Sequence, residues 1–195
     1  MPVTINGDGS ITGLSVGGLP NGTVDTDTLA NNAVTSDKIT GSIFVSYALL
    51  ADRHGGTGGE RGTFTAGAWQ TRAINTEVVD TDNIVTLSSN QFTLQSGTYQ
   101  IKFRAIGYKV NRHIARLREV SPSTATIASG SAAYASSNDS ELNYSDGFVR
   151  TTITQATTYE IQSYAQSTQS SNGFGFQMTY STADYLQVEI YKEAS

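Results

Sequence analysis

From Thr63 onward, apolar and polar positions alternate with period two, and clusters of turn-forming residues interrupt the alternation. Phe92 and Leu94 run into Gln95-Ser96-Gly97, after which Tyr99, Ile101 and Phe103 share one face and Gln100, Lys102 and Arg104 share the other. Near the end, Leu186, Val188 and Ile190 form one face, with Tyr185 and Tyr191 opposite. Phe174, Phe176, Met178 and Tyr180 form a similar alternation. Ser121-Pro122-Ser123, Ser137-Asn138-Asp139 and Ser171-Asn172-Gly173 read as turns. The pattern predicts about eight to ten short strands and no long amphipathic helix, which is the signature of an antiparallel sandwich or jelly roll.

The first forty residues have another texture. Aliphatics are isolated (Val3, Ile5, Ile11, Leu14, Val16, Leu19) among Gly, Thr, Asn and Asp. A tandem ten-residue repeat follows, in which Val24, Thr26, Asp27 and Leu29 recur as Val34, Ser36, Asp37 and Ile39. Each unit has an N-capping Thr or Ser and a Gly or Asn stop, which allows one helical turn. Two aliphatics per unit bury too little surface to offset the entropy of ordering it alone. The segment must therefore pack on copies of itself or on another protein, through Val24, Leu29, Val34 and Ile39. Val45 to Arg53 is compatible with a short helix or strand, and Gly55 to Gly62 then breaks the chain. The expected organisation is an arm over 1–54, a glycine-rich hinge over 55–62 and a β domain over 63–195.

Composition narrows the chemistry. The chain of 195 residues is 37% hydrophobic but only 15% charged, with ten tyrosines and seven phenylalanines. Average globular proteins carry about 25% charged residues; here Ser, Thr, Asn, Gln and Gly take their place. Aromatic content and low net charge argue against disorder. With no cysteine, disulfide frameworks, zinc ribbons and cysteine nucleophiles are all excluded. A net charge of −5 argues against nucleic acid as a partner. The N-terminal stretch lacks the basic and apolar regions of a secretory signal, and no window approaches the ~18 apolar residues of a membrane span, so no membrane insertion is expected.

No catalytic, cofactor-binding or metal-binding residue is assigned. The two histidines, His54 and His113, are too few for a three-histidine metal site; His54 is expected to be solvated and His113 packed. Gly13-Leu14-Ser15-Val16-Gly17 has the Gly-x-Ser-x-Gly spacing, but the long amphipathic helix that follows a nucleophile elbow is absent, so it is not read as one. Gly56-Thr57-Gly58 begins like a dinucleotide fingerprint, but Arg61 replaces its third glycine. Asp25/Asp27 and Asp80/Asp82 lack calcium-loop spacing and read as turn carboxylates. Six of the twelve basic residues lie between Lys102 and Arg118, and Lys102, Arg104, Arg112, Arg116 and Arg118 are expected to form one basic patch facing a partner or an anionic glycan. Glutamines and aromatics between Tyr159 and Tyr180 are compatible with a sugar-binding surface.

The opening Val3-Thr-Ile5-Asn-Gly7 and Ile11-Thr-Gly13-Leu14, with the Val-x-Thr/Ser-Asp-x-Leu/Ile repeats, resembles the N-terminal arms of bacteriophage fibre and virion-decorating proteins. The remainder resembles tumour-necrosis-factor and complement globular-head jelly rolls. The stretches that carry this are Gly62-Thr-Phe64-Thr-Ala-Gly67, Phe92-Thr-Leu94-Gln-Ser-Gly97-Thr-Tyr99, Asn111-Arg-His113, Thr157-Thr-Tyr159-Glu-Ile161, Gly173-Phe-Gly175 and Tyr185-Leu-Gln-Val-Glu-Ile-Tyr191. The resemblance implies a homotrimer of jelly rolls on the virion exterior with an extended, intertwined arm. It makes Tyr99, Phe103, Tyr185 and Tyr191 candidates for inter-subunit contacts. The implied partners are further copies of the chain and the major capsid protein or another virion component. The expected role is capsid cement; the alternative is a short tail fibre whose domain binds a host-surface receptor or glycan.

Overall fold

The computed structural model describes residues 4, 5, 7, 11, 12, 44–56 and 61–194. The chain divides into two units, Met1–Gly41 and Ser42–Ser195. In the first, β1 (Thr4–Ile5) and β2 (Ile11–Thr12) pair antiparallel. The repeat residues Val24, Leu29, Val34 and Ile39 lie outside the described residues.

The second unit is an all-β sandwich. One sheet has five antiparallel strands in the order β12 (Leu142–Ile153), β8 (Gly97–Tyr108), β14 (Ala183–Glu193), β3 (Phe44–His54) and β5 (Thr76–Asp80). The other runs β10 (Thr126–Ser129), β9 (Asn111–Ser121), β13 (Thr157–Ala165), β7 (Gln91–Leu94) and β6 (Val85–Ser88), with β11 (Ala133–Ala135) on β9 and β4 (Gln70–Thr71) on β13. Consecutive strands cross between sheets, as β8 to β9 and β12 to β13 do, so neither sheet could fold without the other. This is the antiparallel jelly roll that the alternation predicts.

The core is the space between the inward faces. Leu50, Tyr99, Ile101, Phe103, Val188 and Ile190 from the five-stranded sheet meet Phe92, Leu94, Leu117, Tyr159 and Ile161 from the other. Period-two patterning places the apolar residues there, and hydrophobic burial of that layer drives the two sheets together. Hairpin β6–β7 closes through Ser89 and Asn90, both at positive φ, which matches the twist of the flanking strands. The Asp80 carboxylate accepts hydrogen bonds from the Ile84 and Val85 amides and thereby holds the β5–β6 turn.

Two expectations fail. Residues 44–54 are not part of an arm: β3 lies between β14 and β5, and Ala48, Leu50 and Ala51 are fully buried. Residues 57–60 of the glycine stretch expected as a hinge lie outside the described residues. The segment containing Phe174, Phe176, Met178 and Tyr180 is not a strand. Positive φ at Ser171 and Gly175 bends it, so that Phe174 stacks on Phe64 while Tyr180 remains 85% exposed.

Candidate functional site

A two-layer sandwich has two outer faces, and residues of alternate register decorate each. On the five-stranded sheet the outward row Phe148, Lys102, Glu189, Leu49 and Val79 crosses all five strands in register. The next row is Arg150, Gln100, Tyr191 and Tyr47. Phe148 is 55% exposed, and Phe44, Val45 and Val79 are exposed as well. Tyr191 packs between Phe44 and Tyr47, with ring centroids 5.1 and 4.9 Å away. Its hydroxyl donates to Glu189 Oε2 at 2.6 Å, and that bond to a carboxylate pushes its pKa up to about 12. Lys102 Nζ lies 5.1 Å above the same ring. Depressions of about 480 Å³, beside Lys102, Phe148 and Glu189, and about 420 Å³, beside Phe44, Tyr47 and Val79, pit the surface. Apolar and aromatic side chains uncovered at mid-sheet suit burial against a flat partner.

The opposite outer face is different in chemistry. Cross-strand pairs between β9 and β13 read Ile114/Tyr164, Arg116/Gln162 and Arg118/Glu160. Arg112 precedes them, holding Gln166 through its side chain at 3.2 Å. Trp69 stands beside Tyr164 at 5.6 Å, with the Arg116 guanidinium 3.9 Å from its ring. Burial of Arg116 and the neighbouring Arg118 lower its pKa. Arg118 is ion-paired with Glu160 at 3.0 Å.

The expected basic patch is therefore split. Lys102 and Arg104 belong to the five-stranded sheet, whereas Arg112, Arg116 and Arg118 belong to the other. Outward faces of a sandwich point in opposite directions, and proximity in sequence across β8 and β9 does not bring these residues together. Arg104 is also paired with Asp146 at 2.7 Å. Among the interface candidates, Tyr99, Phe103 and Tyr185 are 0, 2 and 3% exposed within their own protomer, which leaves no surface for a neighbour. Tyr99 and Phe103 point into the core, and a bulge at Asp184/Leu186 turns Tyr185 beneath Arg61. Only Tyr191 of the four lies on an outer face.

His54 donates from Nε2 to the Asp52 carboxylate at 2.6 Å and is half-buried, not solvated. His113 is buried, as expected, but its Nε2 has no partner among the described residues. No group of three or more His, Cys, Asp or Glu residues capable of holding a metal occurs among the described residues. Sequence reasoning missed Phe148, Tyr47 and Trp69, whereas Tyr164 falls within the Tyr159–Tyr180 stretch read as compatible with a sugar-binding surface. The signal for Phe148 was available, since Tyr144, Asp146, Phe148 and Arg150 alternate with smaller inward residues; Trp69 has no periodic neighbours to place it.

No family model and no curated protein matches the sequence. Among solved structures the chain is similar to the tumour-necrosis-factor protein Eiger from S. frugiperda, at 11% identity over 76% of this chain and 92% of that one, with a TM-score of 0.53. It is also similar to the globular domain of zebrafish complement 1qA protein, at 17% identity over 76% and 95% of the two chains and a TM-score of 0.47. A third similar structure is the PRD1 vertex protein P5, at 14% identity over 77% and 98% and a TM-score of 0.43. The likeness to Eiger is one of fold, in keeping with the antiparallel jelly-roll sandwich of the second unit.

Proposed function

We propose that the chain is a non-enzymatic, homotrimeric structural protein on the exterior of a bacteriophage particle. In this reading, the outer face of the five-stranded sheet is the subunit contact and the N-terminal arm is the anchor. The observation that carries the self-association is that face, where the exposed or half-buried Phe148, Tyr47, Leu49, Val79 and Tyr191 lie in register across the strands. Three copies around an axis would remove these side chains from water. The virion assignment rests on the arm's resemblance and on its repeat, whose aliphatics need a surface outside the protomer.

Capsid cement is the favoured role. Because β1 and β2 fold back on each other, the reach falls to residues 13–41; if extended at roughly 3.3 Å per residue they would span on the order of 95 Å, enough to bridge neighbouring shell subunits. The alternative is a short tail fibre that presents the jelly roll to a host receptor. Deleting Met1–Gly41 and purifying particles tests the anchor: the truncated protein should fold and remain off the particle. Normal incorporation would refute the arm's role. Gold label distributed over heads supports cement, and label confined to tails supports the fibre.

A further inference from the structure

We infer that the outer face of the seven-stranded sheet carries a binding site for a carboxylated sugar, a uronic or sialic acid unit of an acidic glycan. A depression of about 530 Å³ lies on this face, bordered by Ala66, Arg112, Ile114, Ala132, Tyr164 and Gln166. That volume falls within the roughly 300–1,000 Å³ of small-ligand sites. Tyr164 is 37% exposed and Trp69 36%, and their adjoining rings make an aromatic ledge at its margin.

Charge selects the ligand class. Of the three outward arginines on β9, only Arg118 has a carboxylate partner among the described residues. Arg112 is held by Gln166 Oε1, and Arg116 by Gln162 Oε1 at 2.9 and 2.6 Å and Thr126 Oγ1 at 3.0 Å. Every one of these partners is neutral. The Arg112 guanidinium, which borders the depression, is thus oriented by an amide and left without a carboxylate partner among the described residues, while Arg116 is held by neutral groups within the field of Glu160, on a chain whose net charge is −5. An oriented guanidinium takes a carboxylate in a bidentate grip. The negative face of an aromatic ring attracts the polarised C–H groups on one side of a pyranose.

Other anionic partners fit less well. β9 and β13 are both paired along their two edges, so a peptide has no free strand edge to extend. Two arginines are too few to hold a nucleic-acid backbone, and a bare phosphate would leave the Tyr164–Ile114 surface unused. A carboxylated sugar uses both the charge and the ledge. The site would serve a cement protein or a fibre alike, and it stands even if the chain belongs to no phage.

The test is calorimetric titration of the full chain with tri-galacturonic acid and with 3′-sialyllactose, against methyl-esterified trigalacturonate and lactose as their neutral counterparts. At least one acidic sugar should bind saturably, at least tenfold more tightly than its neutral counterpart. Arg112→Gln and Tyr164→Ala, both at exposed positions, should each weaken that binding tenfold or more. Arg104→Gln, which removes the same charge from the opposite sheet, should change it less than twofold. Failure of both acidic sugars to bind would overturn the proposal. So would equal binding of the neutral sugars, wild-type affinity in both site variants, or an equal loss in Arg104→Gln.

Discussion

The guanidinium of Arg72 lies 4.5 Å above the ring of Phe174 and is 1% exposed. It donates to the carbonyls of Ile106, Phe174 and Tyr185 at 2.7, 3.0 and 3.0 Å, tying β8, β14 and the irregular 167–182 segment together at one end of the sandwich. Burial lowers its pKa to about 10, and nearby Asp52 opposes that shift. Replacing Arg72 with Leu would leave three carbonyls without their donor, each costing about 1–3 kcal/mol. Arg72→Leu is expected to destabilise the domain by about 3–5 kcal/mol, seen as a lower urea midpoint at unchanged slope. Arg72→Lys should recover only part of this, because one ammonium cannot reach three divergent carbonyls.

His113 offers a pH test. Its ring covers Gly107 so closely that a Cβ there would lie 2.8 Å from it. Desolvation, and secondarily the charge of Arg72, lower the His113 pKa to about 4 from 6.5. The unfolded chain therefore binds a proton near pH 6.5 that the folded chain refuses until about pH 4. Stability should be at its plateau above 6.5, fall as pH drops between 6.5 and 4, and level off below that as far as this group is concerned. A shift of this size corresponds to about 3 kcal/mol. Denaturation midpoints followed across that window should slope in the wild type and flatten in His113→Phe. An unchanged slope in the variant would assign the effect to other groups.

Much of the fold was legible because burial on one side of a sheet leaves a period-two trace: Tyr99, Ile101 and Phe103 inward, Lys102 and Arg104 outward. The same logic misled at β3, where Ala48, Leu50, Ala51 and Asp52 are buried in near succession and a glycine stretch follows, which imitates a linker. Candidate surfaces were less legible. Alternation says which residues share a face of one strand, but it does not say which strands lie side by side. The Lys102–Arg118 cluster thus looked like one patch, although its chain crosses from one sheet to the other at Tyr108–Asn111. Pairing of Ile114 with Tyr164, and of Leu49 with Glu189 and Val79, joins residues that are far apart in sequence.

Phe148→Arg and Leu49→Arg test the proposed subunit contact. Both side chains point away from the core, so each variant should keep its fold and its far-ultraviolet spectrum. Charges at these positions would have to be desolvated in an interface and would oppose association. Sedimentation should give the mass of three chains for the wild type and of one chain for the variants. A monomeric wild type, or variants that keep its mass, would place the contact elsewhere or remove it.

Gly147 is paired across the β12–β8 ladder with Phe103, whose ring lies over the glycine. A Cβ at this position would come within 2.0 Å of the Phe103 ring, far inside contact distance. The ring is 2% exposed and sits within the main core, so it has no free volume to enter. Gly147→Ala should therefore cost about 1–3 kcal/mol by overpacking, despite alanine's ordinary tolerance in a strand. Phe103→Leu alone should also destabilise, since it removes ring volume from the core. Combined, the two changes relieve each other, because the smaller side chain makes room for the new methyl. The double variant should lose less stability than the sum of the single variants by about 1 kcal/mol or more, measured by urea denaturation. Strict additivity would mean that the ring is not held over Gly147 in solution.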